Sequence, residues 1–287
     1  MILLAIFLLV VSVVAFNILS QTFYTEDEDL ALQLDIPKSG INIDYTVING
    51  DSIRYTSYVD ADLLRPAIIM LHGAPGSCGD FNRYMLNLEL QESFDLYSFE
   101  RAGYGPTVDR EGEYSIRKQA DIAIAMIDQL IQDTVPIALM SHSYGGPVAA
   151  LIAANIPDRC IGHIMIAPVI DPYSEEVFWY SSIPLLWPFK LFASAPFKRA
   201  SREKLGHREE LLALKDMWST VHSPTIHFHG DKDWLASIDN VAFCEQMFPS
   251  DSYRPVQIQE GSHFILWEEE IEKQIINETM KLGSLSH

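Results

Sequence analysis

Pro136-Ile137-Ala138-Leu139-Met140-Ser141-His142-Ser143-Tyr144-Gly145-Gly146, followed by Pro147-Val148-Ala149-Ala150-Leu151-Ile152-Ala153-Ala154, reads as an apolar strand, a tight turn and a helix, with Ser143 at the apex. A turn of this kind lifts its apical hydroxyl clear of the strand. It forces the apical backbone into a strained conformation and needs small residues two positions to either side, where strand and helix come closest. Ser141 and Gly145 occupy those positions. A small-x-Ser-x-Gly pattern also arises by chance, so its meaning depends on the rest of the chain.

Outward from this turn, short unbroken apolar runs alternate with helical stretches. Ala67–Leu71, Asp95–Phe99, Ile137–Met140, Ile161–Ala167, Thr225–His229 and Pro255–Gln259 read as strands buried on both faces. Helices are expected at about 79–91, 116–132, 145–156, 207–220, 237–248 and 265–281. The alternation predicts a mostly parallel sheet covered by helices on both faces, an α/β fold whose site lies at the carboxyl ends of the strands. Ahead of it, Ile41–Val47 and Ser52–Tyr58 alternate in polarity around Asn49-Gly50-Asp51 and read as an antiparallel hairpin. Between Asp171 and about Ser223 the rhythm breaks. This stretch, rich in aromatics from Phe178 to Phe197, predicts a small helical cap inserted over the sheet edge. Its aromatics suit an apolar acyl pocket and equally suit packing of the cap on the core.

The 287 residues, 48% hydrophobic, suffice for one large domain with an insertion. With 20 basic against 39 acidic residues the formal charge is -19, which argues against nucleic-acid binding and against charge-driven docking on anionic surfaces. Cys78, Cys160 and Cys244 are odd in number and widely spaced, implying neither a disulfide framework nor a metal site. Residues 1–19 carry no charged side chain, which predicts a single transmembrane anchor, with a cleaved signal segment as the alternative. Residues 20–40 read as an acidic spacer, and 41–287 as the catalytic domain. The acidic flank after the apolar segment favours a domain outside the cytoplasm.

A serine hydroxyl needs a base within reach, and the base needs an orienting carboxylate. His263, in Glu260-Gly261-Ser262-His263-Phe264, is placed directly after the last strand and is the expected base. The expected acid is Asp233 in His229-Gly230-Asp231-Lys232-Asp233-Trp234. Asp231, beside the turn glycine, is better suited to bonding its own loop, and Asp171 is a third candidate. Oxyanion donors are expected from the amide of Tyr144 and, in His72-Gly73-Ala74-Pro75-Gly76-Ser77, from that of Ala74, since Pro75 has none. His72 reads as a structural loop histidine, and His207 as exposed.

These motifs together resemble the α/β-hydrolase superfamily over about residues 41–282. His72–Gly76 is similar to its oxyanion loop. Phe99-Glu100-Arg101-Ala102-Gly103-Tyr104-Gly105 is similar to its Asp-x-x-Gly-x-Gly segment, with Glu100 for aspartate, and Ser141–Gly145 is similar to its nucleophile elbow, with Ser141 for the first glycine. The resemblance implies a serine hydrolase acting on a small-molecule acyl substrate through Ser143, Asp233 and His263, without metal or cofactor. An esterase or lipase is the base-rate expectation. The loop is also similar to that of prolyl aminopeptidases, which would need acidic groups such as Glu175, Glu176 or Glu203 in the cap for a substrate amine. A ligand-binding member without activity is the remaining alternative.

Overall fold

The computed structural model describes residues 25–60, 65–107 and 115–283. An eight-stranded sheet runs in the order β1-β2-β4-β3-β5-β6-β7-β8. The strands are β1 Asn42–Ile48, β2 Asp51–Tyr58, β3 Ala67–Leu71, β4 Asp95–Phe99, β5 Ile137–His142, β6 Cys160–Ile166, β7 Thr225–Gly230 and β8 Tyr253–Ile258. From β4 to β8 every neighbouring pair is parallel, while β1 pairs with β2 and β2 with β4 antiparallel. The β1–β2 turn uses Asn49 at φ 54° and Gly50 at φ 86°, the left-handed pair that a two-residue hairpin requires.

The longer α-helices are α1 Asp27–Gln33, α2 Leu88–Ser93, α3 Ile116–Leu130, α4 Gly145–Asn155, α5 Ala195–Leu214, α6 Asp239–Met247 and α7 Glu269–Gly283. Strand side chains alternate between two cores, as a period of two demands. Ile69, Leu71, Ile137 and Leu139 pack in one cluster with Ile116 and Met126 of α3 and Val148 and Leu151 of α4. Ile68, Met70, Ala138 and Met140 pack in the other with Leu30 of α1, Leu90 of α2 and Ile275 of α7. All three cysteines are buried and free.

The chain passes from β3 out to β4 and then back across β3 to β5, so the sheet reverses its winding between β3 and β5. The loops after those two strands therefore open a crevice at the carboxyl edge, the usual place for a site in an open α/β sheet. His72–Ser77 and Ser143 lie on those loops.

Several expectations need correction. Residues 27–33 and 36–39, read as spacer, are helical, and Leu30 and Leu34 are fully buried in the second core. The helix expected from 207 begins at Ala195. The stretch 79–91 is broken into a 3-10 turn at Cys78–Phe81, a single turn at Asn82–Met85 and α2. Among the described residues no helix is long and apolar enough to cross a membrane. The anchor expected at residues 1–19 falls outside the described residues, and no described helix supports the expected membrane attachment or a placement outside the cytoplasm.

Candidate active site

Ser143 stands between β5 and α4 at φ 52°, a left-handed conformation that costs energy for a residue with a Cβ. Its neighbours hold it there. The Ser143 amide donates to Ile166 O at 3.0 Å, and its carbonyl accepts from Gly146 N at 2.9 Å. A Cβ on Gly145 would lie 2.3 Å from Leu71 O, so strand and helix meet only because this residue has no side chain. At the off-pattern position, Ser141 Oγ is hydrogen-bonded to His163 Nε2 at 2.8 Å, in the core. Burial pushes His163 down to about 3, which keeps that ring neutral.

His263 Nδ1 donates to Asp233 Oδ2 at 2.7 Å. That fixes the tautomer, so Nε2 is free to accept from Ser143 Oγ, 2.9 Å away. Asp233 Oδ1 in turn accepts from the amides of Leu235 at 2.9 Å and Ala236 at 2.8 Å. Burial would raise the Asp233 pKa, but the hydrogen bond and charge of His263 and the Ala236 amide outweigh it and hold the carboxyl below its usual range. The loops carrying Asp233 and His263 are locked together. A Cβ on Gly230 would sit 2.1 Å from Gly261 O, and Lys232 N donates to that same oxygen at 2.9 Å.

The other two acid candidates lie elsewhere. Asp231 accepts from Glu260 N at 2.7 Å, the loop role expected of it. Asp171 accepts from Tyr173 N at 2.8 Å and Ser174 N at 3.2 Å, closing a turn.

Ala74 and Tyr144 line one cavity of about 430 Å³ together with Ser143 and His263. A Cβ on Gly73 would lie 3.0 Å from Ser143 Cβ, so the loop passes closely over Ser143. His72 is buried, with Nδ1 donating to Gly73 O at 2.8 Å and Nε2 accepting from Arg101 N at 2.9 Å. Its pKa is lowered, by burial first, which suits a structural imidazole.

Three contributors were not legible in the sequence. Arg101 holds the loop from behind: Nε donates to His72 O at 2.9 Å and Nη2 to Gly73 O at 2.8 Å. Its remaining protons go to Gln119 and to both oxygens of Glu203 on α5, at 3.0 and 3.1 Å, so all five donors of the guanidinium have acceptors. Tyr104 and Tyr144 each lie 4.6 Å from its Cζ. His142 Nε2 donates to His263 O at 3.1 Å, and burial followed by the nearby His263 charge pushes it down to about 3. Asp80 lines the cavity too, and is pushed up to about 7 by burial first and by Glu100 second. The arginine in Phe99–Gly105 was the available signal for the first; nothing local marked the others.

Two cap carboxylates are committed within the protein. Glu203, 1% exposed, is held by Arg101, Gln119 and Tyr104. Glu175 accepts from Lys204 at 2.7 Å and from His207 at 3.0 Å. Glu176 is exposed. His207, expected to be exposed, is buried on the cavity wall. Phe178, Tyr180, Pro184, Phe197, Phe264 and Trp267 give the cavity an apolar lining. Among the described residues no cluster of three or more His, Cys, Asp or Glu could hold a metal ion.

Comparison with known proteins places this geometry in context. The model of the alpha/beta hydrolase family matches residues 68–273. The uncharacterized protein YqjL of Bacillus subtilis (strain 168) is 20% identical over 172 residues, covering 52% of this chain and 66% of that one. The monoglyceride lipase of Mus musculus is 29% identical over 111 residues, 36% of this chain and 35% of the lipase. The chain thus spans about two thirds of the first relative and about a third of the second. Among solved structures, a membrane phospholipase A described as a bacterial virulence factor superposes with a TM-score of 0.67 at 16% identity, covering 100% of both chains. The haloalkane dehalogenase DbeA of Bradyrhizobium elkani USDA94 gives 0.65 at 17%, covering 85% of this chain and 99% of its own. At such identities these last two likenesses are of fold.

Proposed function

The chain belongs to the alpha/beta hydrolase family, and we propose that it is a serine hydrolase cleaving a carboxylic ester with an apolar acyl group through an acyl-enzyme. The observation that carries this reading is the unbroken hydrogen-bond line Asp233–His263–Ser143, at 2.7 and 2.9 Å, ending on the wall of an apolar cavity. Ser143 Oγ attacks the ester carbonyl carbon as its proton passes to His263 Nε2. The oxyanion forms against the amides of Ala74 and Tyr144, and Asp233 stabilises the imidazolium. His263 then protonates the departing alkoxide, and the alcohol leaves. Water, deprotonated by His263, attacks the acyl-serine, and collapse releases the carboxylic acid and restores Ser143.

A serine at the apex argues against dehalogenation, which in this family uses an apical aspartate. The peptidase reading loses support because Glu175 and Glu203 are already paired inside the protein and the exposed Glu176 is not among the residues lining the cavity. The test is a fluorophosphonate probe with mapping of the labelled peptide, together with turnover of p-nitrophenyl esters of graded chain length. One label per chain at Ser143, lost in Ser143→Ala, is expected. A folded protein that takes no label and turns over no ester would sink the reading in favour of a binding role, and preferential cleavage of aminoacyl arylamides would replace it with the peptidase.

A further inference from the structure

Three polar side chains of α5 line the cavity and take no part in the steps above: Ser201, whose hydroxyl donates to Phe197 O at 3.1 Å within the helix, and Lys204 and His207. The last two converge on Glu175 Oε1, Lys204 Nζ at 2.7 Å and His207 Nδ1 at 3.0 Å. Burial alone would raise the Glu175 pKa, but the hydrogen bond from His207, then the charge and hydrogen bond of Lys204, hold the carboxyl below its usual range. The His207 ring stacks on Tyr144, with centroids 4.6 Å apart and planes 28° from parallel. Its orientation is therefore set against the residue that follows the nucleophile.

With the Nδ1 proton directed at the Glu175 carboxylate, the other ring nitrogen, Nε2, is the acceptor of that tautomer. His207 is 1% exposed, yet among the described residues no protein group meets this nitrogen. A buried polar atom without a partner is uncommon and costly, and calls for a reason. Lys204 has N–H donors beyond the one engaged by Glu175. Glu175 and Lys204 cancel in charge, so the wall offers an acceptor and a donor without net charge. An ionic group finds no counter-charge there. A neutral hydroxyl group, which donates and accepts, finds both.

We propose that Lys204, Glu175 and His207 form a hydroxyl-recognition subsite, and that the natural ester carries at least one free hydroxyl on the part lying against α5. The hydroxyl donates to His207 Nε2, and Lys204 Nζ donates to the oxygen of the same group or of a neighbouring one. Glu175 orients both side chains without touching the substrate. The subsite rests on the serine-ester reading, since it selects among esters that Ser143 cleaves.

The hydroxyl lies on either the alcohol or the acyl half, and matched pairs of esters distinguish the two. One pair is 2,3-dihydroxypropyl butanoate and propyl butanoate; the other is ethyl 3-hydroxybutanoate and ethyl butanoate. We expect the hydroxylated member of one pair to be favoured about tenfold in kcat/KM, the size of one net hydrogen bond. His207→Phe keeps a ring on Tyr144 and removes both nitrogens, and should bring that ratio close to one. Lys204→Met should do so as well, and carries the test alone if the first variant fails to fold. Equal kcat/KM within both pairs, with the plain esters turned over, overturns the subsite and leaves the esterase reading standing. A ratio unchanged by either folded variant does the same. No turnover of any ester and no fluorophosphonate label overturn the parent reading and the subsite with it.

Discussion

Two carboxylate–imidazole pairs face one cavity, and only one of them reaches a serine. Asp233–His263 is built on the loops after β7 and β8, with its carboxylate held by two main-chain amides and Ser143 on the far ring nitrogen. Glu175–His207 is built on the segment between β6 and β7, with a lysine on the carboxylate and no protein group on the far nitrogen. The polar geometry is similar at 2.7 and 3.0 Å, so what separates them is the group the second nitrogen meets. Two partial versions complete the series. Ser141–His163 is a serine and an imidazole at 2.8 Å in the core, and Asp80 is a cavity carboxyl without an imidazole.

The largest contrast should come from neutralising the two acids. Asp233→Asn keeps the shape but reverses the tautomer of His263, and kcat for ester hydrolysis should fall about 10,000-fold. Glu175→Gln should cost at most about tenfold in kcat/KM, the worth of a binding contact. Comparable losses in steady-state assays would mean that the pairs are not different in kind. Arg101→Lys addresses the donors instead. A point charge cannot hold two loop carbonyls and the Glu203 carboxylate as a planar fork does. Displacing one oxyanion donor should lower kcat by about 100-fold or more with KM little changed, and a loss confined to KM would exclude this role.

Asp80 tests a carboxyl with no base. Its folded pKa of about 7 lies above the ordinary 3.8, so the folded protein binds a proton more tightly than the unfolded chain. That contribution is complete below about pH 4 and is lost as pH rises through about 7. Asp80→Asn should therefore match the parent in thermal unfolding at pH 4 and exceed it at pH 8, by about 1–3 kcal/mol after allowing for solvent screening. A variant less stable at pH 8 would contradict this. The smallest effect belongs to Ser141. Ser141→Gly restores the family's usual residue but leaves His163 Nε2 without its hydroxyl, and should cost about 1 kcal/mol in urea unfolding. Ser143→Ala, with Ser141 still present two residues away, should take up no fluorophosphonate.

The sheet and the hydrogen-bonded line Asp233–His263–Ser143 were readable because both are written locally. Unbroken apolar runs mark buried strands, and Ser143, Asp233 and His263 each follow such a run in a glycine-marked loop. The cap was less readable for a physical reason. Arg199, Glu203 and His207 recur at every fourth residue of α5 and are all buried, so its inward face has the composition of a solvent face. Their partners Arg101 and Glu175 lie 102 and 32 residues away along the chain, and no local period reveals such pairing. The same blindness made residues 27–33 read as a spacer, because three acidic residues precede the one leucine that carries α1 into the core.

The Arg101–Glu203 pair also bears on how freely members of the family can trade parts. Removing the segment between β6 and β7, or replacing it with a relative's, would leave a fully engaged guanidinium without its carboxylate, an uncompensated buried charge that is typically worth about 3–5 kcal/mol of stability. The insertion is thus no interchangeable module. A chimera that imports a foreign cap must bring a carboxylate to position 203 or give up Arg101, and giving up Arg101 releases the carbonyls of His72 and Gly73.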